Sequence, residues 1–173
     1  MRSFGSIIVA VMLASTSGGT FTLKSPAFAP GGAIPAVHTC DGADTSPPLE
    51  WSGAPAGTRS FALIVHDPDA PAGDWLHWVA WNIPAATRSF PAGVPTKDRL
   101  ADGTEQGRND FGRPGYGGPC PPGGTHHYVF SLRALDTTLT LPAKAARDAI
   151  ENAMQGHILA TAELTGTYQR KRG

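Results

Sequence analysis

Three stretches of the chain concentrate side chains that could do chemistry. The first, Asp67-Pro68-Asp69-Ala70-Pro71, sets two carboxylates on either side of a proline and follows the apolar run Ser60–Val65. The two prolines restrict the backbone enough to hold the carboxylates in place, although alone the stretch reads as a turn closed by Asx-type hydrogen bonds. The second, Trp75-Leu76-His77-Trp78, places a histidine at the start of an aromatic run. A histidine there is either a satisfied core residue or one turned toward a ligand. The third is Gly118-Pro119-Cys120-Pro121-Pro122 followed by His126-His127-Tyr128. On a strand, His126 and Tyr128 point to one face, and an imidazole beside a phenol offers two hydrogen-bond donors to an anion. A nucleophile elbow and an HExxH pattern are both missing from the sequence. Asp67, Asp69, His77 and His126 match no standard metal-ligand spacing.

The elements that position these residues read as strands. Ser60–Asp67, Leu76–Ile83, His126–Leu135, Ile158–Tyr168 and a short Phe21–Leu23 are apolar, aromatic or alternating runs bounded by Gly, Pro or Asp, the pattern of a mainly β chain. One helix interrupts them. It starts at Pro142, carries Ala146, Ala149, Ile150, Ala153 and Met154 on one face, and stops at Gly156. Strands and helices do not alternate, so a parallel α/β sheet is excluded. Residues 101–125 hold eight glycines and four prolines. A loop that long inside a compact domain is functional or disordered, and Phe111, Tyr116 and Cys120 within it point to packing.

Composition narrows the class. The 173 residues include 40% hydrophobic residues, which argues against disorder. Fourteen basic and fourteen acidic side chains give a net charge of zero, which supplies no electrostatic footprint for nucleic acid. No run approaches the ~18 apolar residues of a membrane span. Arg2, the apolar stretch Phe4–Ala14 and the small residues that follow are laid out as a secretory signal peptide; a buried first strand and an uncleaved anchor are the alternatives. The expected organisation is a signal peptide over 1–17 and a single domain over 18–173, exported to the periplasm or secreted. Cys40 and Cys120 belong to no CxxC pair. In an oxidising compartment an even count suggests one bridge, Cys40–Cys120, against two free buried thiols.

The three stretches in this order, together with Ser46-Pro47-Pro48-Leu49-Glu50-Trp51, Gly107-Arg108-Asn109-Asp110-Phe111-Gly112 and Gly156-His157-Ile158-Leu159-Ala160, resemble the phosphatidylethanolamine-binding protein family, and within it the bacterial Raf kinase inhibitor-like branch. The resemblance covers residues 21–170. It implies an antiparallel β-sandwich of Greek-key type with a few short helices, and a small pocket for phosphate-like and carboxylate anions. Carried over by motif, the pocket residues are Asp67, Asp69 and Pro71, His77, and His126 with Tyr128. Cys120 stands where the family uses a backbone amide, and Trp75 and Pro122 wall the mouth. In that arrangement the carboxylates orient the histidines and keep them partly protonated.

The chain departs from the family in places. His127 stands where Arg is frequent, and Arg133 where an aromatic is common. The chain ends on the basic stretch Gln169–Gly173, without the C-terminal helix of vertebrate members, so kinase regulation does not transfer. Three functions follow in order of weight. The first is a binding protein for a small anion such as a phosphorylated headgroup, with no cofactor and no catalytic residue. The second is a protease or kinase inhibitor acting through surface loops, and the third a metal-dependent or acid–base hydrolase. A homodimer is permitted.

Overall fold

The computed structural model describes residues 19–170. The expected signal peptide over 1–17 lies outside the described residues. Eight strands, one α-helix and one 3-10 turn, Ala36–His38 between β1 and β2, follow in chain order: β1 Thr22–Lys24, β2 Leu49–Ser52, β3 Ser60–Asp67, β4 Trp75–Pro84, β5 Ser89–Phe90, β6 Glu105–Gln106, β7 Thr125–Leu135, α1 Arg147–Met154 and β8 Ile158–Gln169. A three-stranded sheet runs β1-β2-β5 and a five-stranded sheet runs β6-β4-β3-β7-β8. The named strand pairs are all antiparallel. β7 lies beside β3 rather than β4, reached by the long connection that carries β5 and β6.

The apolar run of β3 does not alternate because both of its faces are covered. Phe61, Leu63 and Val65 pack into the core between the two sheets with Trp51, Trp78, Phe90 and Phe130. Ala62 and Ile64 pack on the opposite side with Val79, Trp81, Leu135 and the helix residues Ile150 and Met154. The layers are therefore small sheet, large sheet and helix. Burial of Ile150, which is fully enclosed, is worth about 1.5–3 kcal/mol.

The helix is shorter than its sequence suggests. Lys144 adopts φ 64°, a left-handed conformation that a helix interior does not accommodate, so Pro142–Ala145 forms a turn closed by the Ala145 amide on the Pro142 carbonyl. The helix starts only at Arg147, where Pro142 was expected to open it. The two-residue strands β5 and β6 also escape sequence reading, because two residues carry no periodicity.

The Gly- and Pro-rich segment 101–125 is packed. Gln106 accepts the Trp78 indole N–H at 2.7 Å and donates to the carbonyls of Pro95 and Lys97. Tyr116 is 1% exposed, and its hydroxyl donates to the His38 carbonyl at 2.7 Å. Cys40 and Cys120 are joined by a disulfide, with their Cα atoms 5.4 Å apart.

Candidate functional site

The end of the sandwich where β3 exits, β4 begins and β7 begins encloses a cavity of about 310 Å³. β3 delivers Asp67 as its last residue, and the turn beyond it supplies Ala70, Pro71 and Ala72. β7 delivers His126 on the same face as Tyr128, since alternate residues of a strand share a face. β4 delivers His77 through an irregularity. Val65 lies opposite Trp78 while the next residue, His66, lies opposite Leu76, so His77 is one residue more than the partner strand matches. Such a bulge turns a side chain out of the regular alternation. Trp78 can then fill the inter-sheet core while its neighbour His77 lines the cavity.

Asp67 is used at both oxygens. Oδ1 accepts the Asp69 backbone N–H at 2.8 Å, and Oδ2 accepts from His126 Nδ1 at 2.7 Å. The Asx turn and the site arrangement, competing readings of the sequence, therefore coexist in one carboxylate. The His126 and Asp67 side chains are only 8% and 5% exposed. With Nδ1 committed to the carboxylate, Nε2 is the His126 nitrogen left for a ligand.

His77 is held differently. Its Nδ1 donates to the Gly117 carbonyl at 2.6 Å, and the Gly117 amide donates back to the His77 carbonyl at 2.9 Å. Burial lowers its pKa, overcoming the opposing effects of the Gly117 carbonyl and of Asp67, Asp110 and Asp44. Tyr128 meets the His77 ring edge to face at 5.1 Å. Its hydroxyl is buried with no hydrogen-bond partner among the described residues. Burial, then the charge of Asp67, pushes the phenol pKa up, so it is a hydrogen-bond donor at any working pH.

Of the residues expected in the pocket, Asp67, Pro71, Trp75, His77, Cys120, Pro122 and His126 line the cavity. Tyr128 lies behind His77, and Asp69 does not line it. The Asp69 Oδ2 accepts the His127 amide at 2.8 Å and His127 Nδ1 at 2.7 Å, on the opposite, exposed face of β7. The expectation that both carboxylates orient cavity histidines and keep them protonated is thus corrected twice. Asp69 serves His127, and His77 leans on a carbonyl while burial disfavours its charged form.

Other residues shape the site without having been singled out for it. Phe111 lines the mouth, with its ring 5.7 Å from Trp75 and 5.3 Å from His77. Asp44 accepts the Gly118 amide at 2.7 Å and Arg113 at 2.6 Å. Asn109 holds the Gly115 carbonyl and the amides of Phe111 and Arg113. At Gly118 a Cβ would fall 2.5 Å from Asp44 Oδ1 and 2.6 Å from the His38 carbonyl oxygen, so only glycine lets these strands of loop close. Asp44 itself adopts φ 54°, which Asp tolerates. Its place in a turn-rich stretch was readable, but its partners, more than sixty residues away, were not.

The phosphatidylethanolamine-binding protein profile matches residues 24–169. The chain belongs to this family. A UPF0098 protein of Methanothermobacter thermautotrophicus is 50% identical over 148 residues, covering 86% of this chain and 98% of that one. The UPF0098 protein YbcL of Escherichia coli is 38% identical over 177 residues, covering 96% of this chain and 97% of its own. The crystal structure of YbcL, described as a new member of the mammalian family, superposes with a TM-score of 0.81 at 40% identity, covering 87% and 99% of the two chains. A homologue of the family from Chlamydia trachomatis, CT736, gives the same TM-score at 38% identity, covering 87% and 98%. In this member of the family the β-sandwich and the cavity at its end are built from the same three stretches that carried the resemblance. Among the described residues no helix is long and apolar enough to cross a membrane.

Proposed function

We propose that this protein binds a small anionic group, phosphate-like or carboxylate, in the cavity at the end of the sandwich. The observation that carries the proposal is the buried His126–Asp67 pair opening into a cavity with an apolar rim. Asp67 fixes the ring through Nδ1, so Nε2 donates to a ligand when the ring is protonated. Anion binding and proton uptake are then linked. The Tyr128 hydroxyl is buried beside His77, close to the charge of Asp67. Trp75, Phe111, Pro71 and Pro122 give the mouth apolar walls, the combination of shelter and few polar groups that small-ligand sites use. A phosphorylated headgroup, suggested by the name of the family, fits the charge and the walls.

The family membership supports a ligand-binding protein in general, and the disulfide supports an exported one, since such bonds persist in oxidising compartments. Calorimetry with inorganic phosphate tests the binding reading. Wild-type protein should bind, and His126→Ala should lose roughly 1.5–3 kcal/mol, the range for a hydrogen bond to a charged group. Equal binding by the variant would make His126 a structural residue only.

A further inference from the structure

The large sheet has two edges, β6 and β8. β6 is two residues long, and Arg99 meets its Glu105 on the outer side. β8 is twelve residues long, and its outer edge is closed over only part of that length. The Thr165 carbonyl accepts the Gly31 amide at 2.7 Å, the Thr167 amide donates to the Gly32 carbonyl at 2.8 Å, and the Thr167 carbonyl accepts the Ile34 amide at 2.8 Å. In an antiparallel ladder the residues that bond to one side recur at every second position. The register of β8 on β7 is unbroken from Ala160 to Gln169, so the outward groups beyond Thr165 belong to Glu163 and Thr161. No backbone group among the described residues meets either of them on that side. Both residues are exposed, and Ile158 and Leu159 at the start of the strand are 44% and 41% exposed. An open edge is a template for another strand unless proline, lysine or shortness blunts it. Residues 158–164 contain no proline, no lysine and a single charged residue, Glu163. The small sheet shows the contrast, since its edge strand β5 is two residues long and runs into Pro91.

We infer that this edge takes a second copy of the chain, whose β8 pairs antiparallel with β8 of the first across a twofold axis at Ala162. Complementarity fixes the occupant. About a twofold axis one surface meets itself, and outward-bonding residues must face outward-bonding residues. Centring on Ala162 sets Thr161 opposite Glu163 of the second copy, and Glu163 opposite its Thr161, and each pair exchanges both backbone bonds. Thr161 lies beside Arg133 of β7, on the same face of the sheet. Glu163 of the second copy therefore arrives next to Arg133, a half-buried cation whose guanidinium holds no carboxylate among the described residues. Opposite charges meet in this way on both sides of the axis. The pairing spans residues 160–164 and stops where residues 31–34 of each copy close the edge. Ile158 and Leu159 are drawn against that segment of the other copy. So short a pairing makes a weak dimer that forms as concentration rises. The cavity lies beside the far end of β8, where His126 meets Tyr168. Antiparallel pairing puts the two cavities at opposite ends of the joined sheet and leaves both open, so the inference is independent of what the cavity binds.

Sedimentation equilibrium of the full chain over a wide concentration range is the test. Wild type should pass from monomer to dimer as concentration rises. Thr161→Pro deletes an amide that bonds away from β7, so the ladder inside the chain is kept while the edge loses a donor. This variant should stay monomeric with an unchanged circular dichroism spectrum. Glu163→Arg sets a cation beside Arg133 of the second copy and should weaken association roughly tenfold or more, since like charges facing across an interface are costly. It changes only an exposed side chain, so it carries the test if Thr161→Pro does not fold. In wild type, amide exchange at Thr161 and Glu163 should slow at high concentration. A wild type that is monomeric throughout overturns the inference and leaves the edge to a strand of another protein. A dimer that tolerates Glu163→Arg, or one in which the Thr161 and Glu163 amides stay unprotected, overturns it too, because the contact then lies elsewhere.

Discussion

His126 and His127 are neighbours on one strand, and each donates from Nδ1 to an aspartate Oδ2 at 2.7 Å. The two aspartates, Asp67 and Asp69, are themselves two residues apart on one turn. By bond length the pairs are the same interaction. They differ in burial: side chains of the inner pair are 8% and 5% exposed, those of the outer pair 55% and 42%. An exposed pair exchanges water for a partner at little net gain. A buried pair has given up its hydration and depends on the partner entirely. Strand alternation alone decides which histidine enters the cavity and which faces water. The inner pair's dry setting is made by loop segments far away in sequence, the 107–122 loop tied to residues 38–44.

The largest expected effect comes from removing that tie. Replacing both Cys40 and Cys120 by Ser should lower stability by roughly 4–5 kcal/mol on the chain-entropy account of an eighty-residue loop, read from urea denaturation. The sharper observation is local. Amide exchange at Gly117 and Gly118 should accelerate, together with loss of phosphate binding, while the outer pair is untouched. Unchanged exchange in the loop would show that Asp44 and Asn109 hold it without the disulfide.

Next is the inner pair itself. Asp67→Asn keeps the shape and leaves His126 without its carboxylate in a buried site. Leaving a buried hydrogen-bond partner unsatisfied costs about 1–3 kcal/mol, and the variant should also lose the Asp69 turn hydrogen bond if the amide flips. A thermal or chemical denaturation curve within about 1 kcal/mol of wild type would show that the inner pair is no more consequential than an exposed one.

How far the sequence reveals this comparison depends on the kind of fact. The five-residue apolar run of β3 and the alternation of β7 announce strands, because burial on two faces or on one leaves a direct mark on residue type. The sharing of a face by His126 and Tyr128 follows from counting by two. Which aspartate meets which histidine does not, since it depends on how the turn after β3 wraps the start of β7. His77 is harder still: one extra residue in β4 re-aims it, and a bulge leaves no trace in composition. The late helix start at Arg147 has the same origin, a single left-handed residue, Lys144, of a type that gives no warning. Asp44 and Gly117 act through contacts across seventy-four and forty residues respectively, beyond any local pattern.

His77 offers a test of intermediate size. Its folded pKa lies below the ordinary value of 6.5 because of burial. The unfolded chain therefore binds a proton there that the folded chain refuses. Stability from this group is fully present above pH 6.5 and is lost as pH falls from there toward the folded value. The slope cannot exceed about 1.4 kcal/mol per pH unit for one proton. Comparing denaturation of wild type and His77→Gln across this range isolates the contribution. If the two curves stay parallel, His77 is not the group that resists protonation.

The smallest effect belongs to the outer pair. Asp69→Asn removes a carboxylate whose pKa is lowered chiefly by the His127 side-chain hydrogen bond and then by the His127 amide. The sign follows from the direction. A depressed carboxyl pKa contributes stability above the unfolded value near 3.8 and loses it as pH falls through the folded value. The variant should therefore differ from wild type at neutral pH and converge with it in acid. Both side chains are about half exposed, so the difference should stay below about 1 kcal/mol and shrink further in molar salt, where exposed charges are screened. Phosphate binding should not change, because Asp69 lies outside the cavity and His127 on the far face of β7. Asp69 does hold the His127 amide, however, and the next residue back is His126. A tenfold loss of phosphate affinity in Asp69→Asn, with stability unchanged, would mean that this amide bond sets the aim of His126. The outer aspartate would then be a positioning residue for the inner pair, and the two pairs would have to be treated as one device.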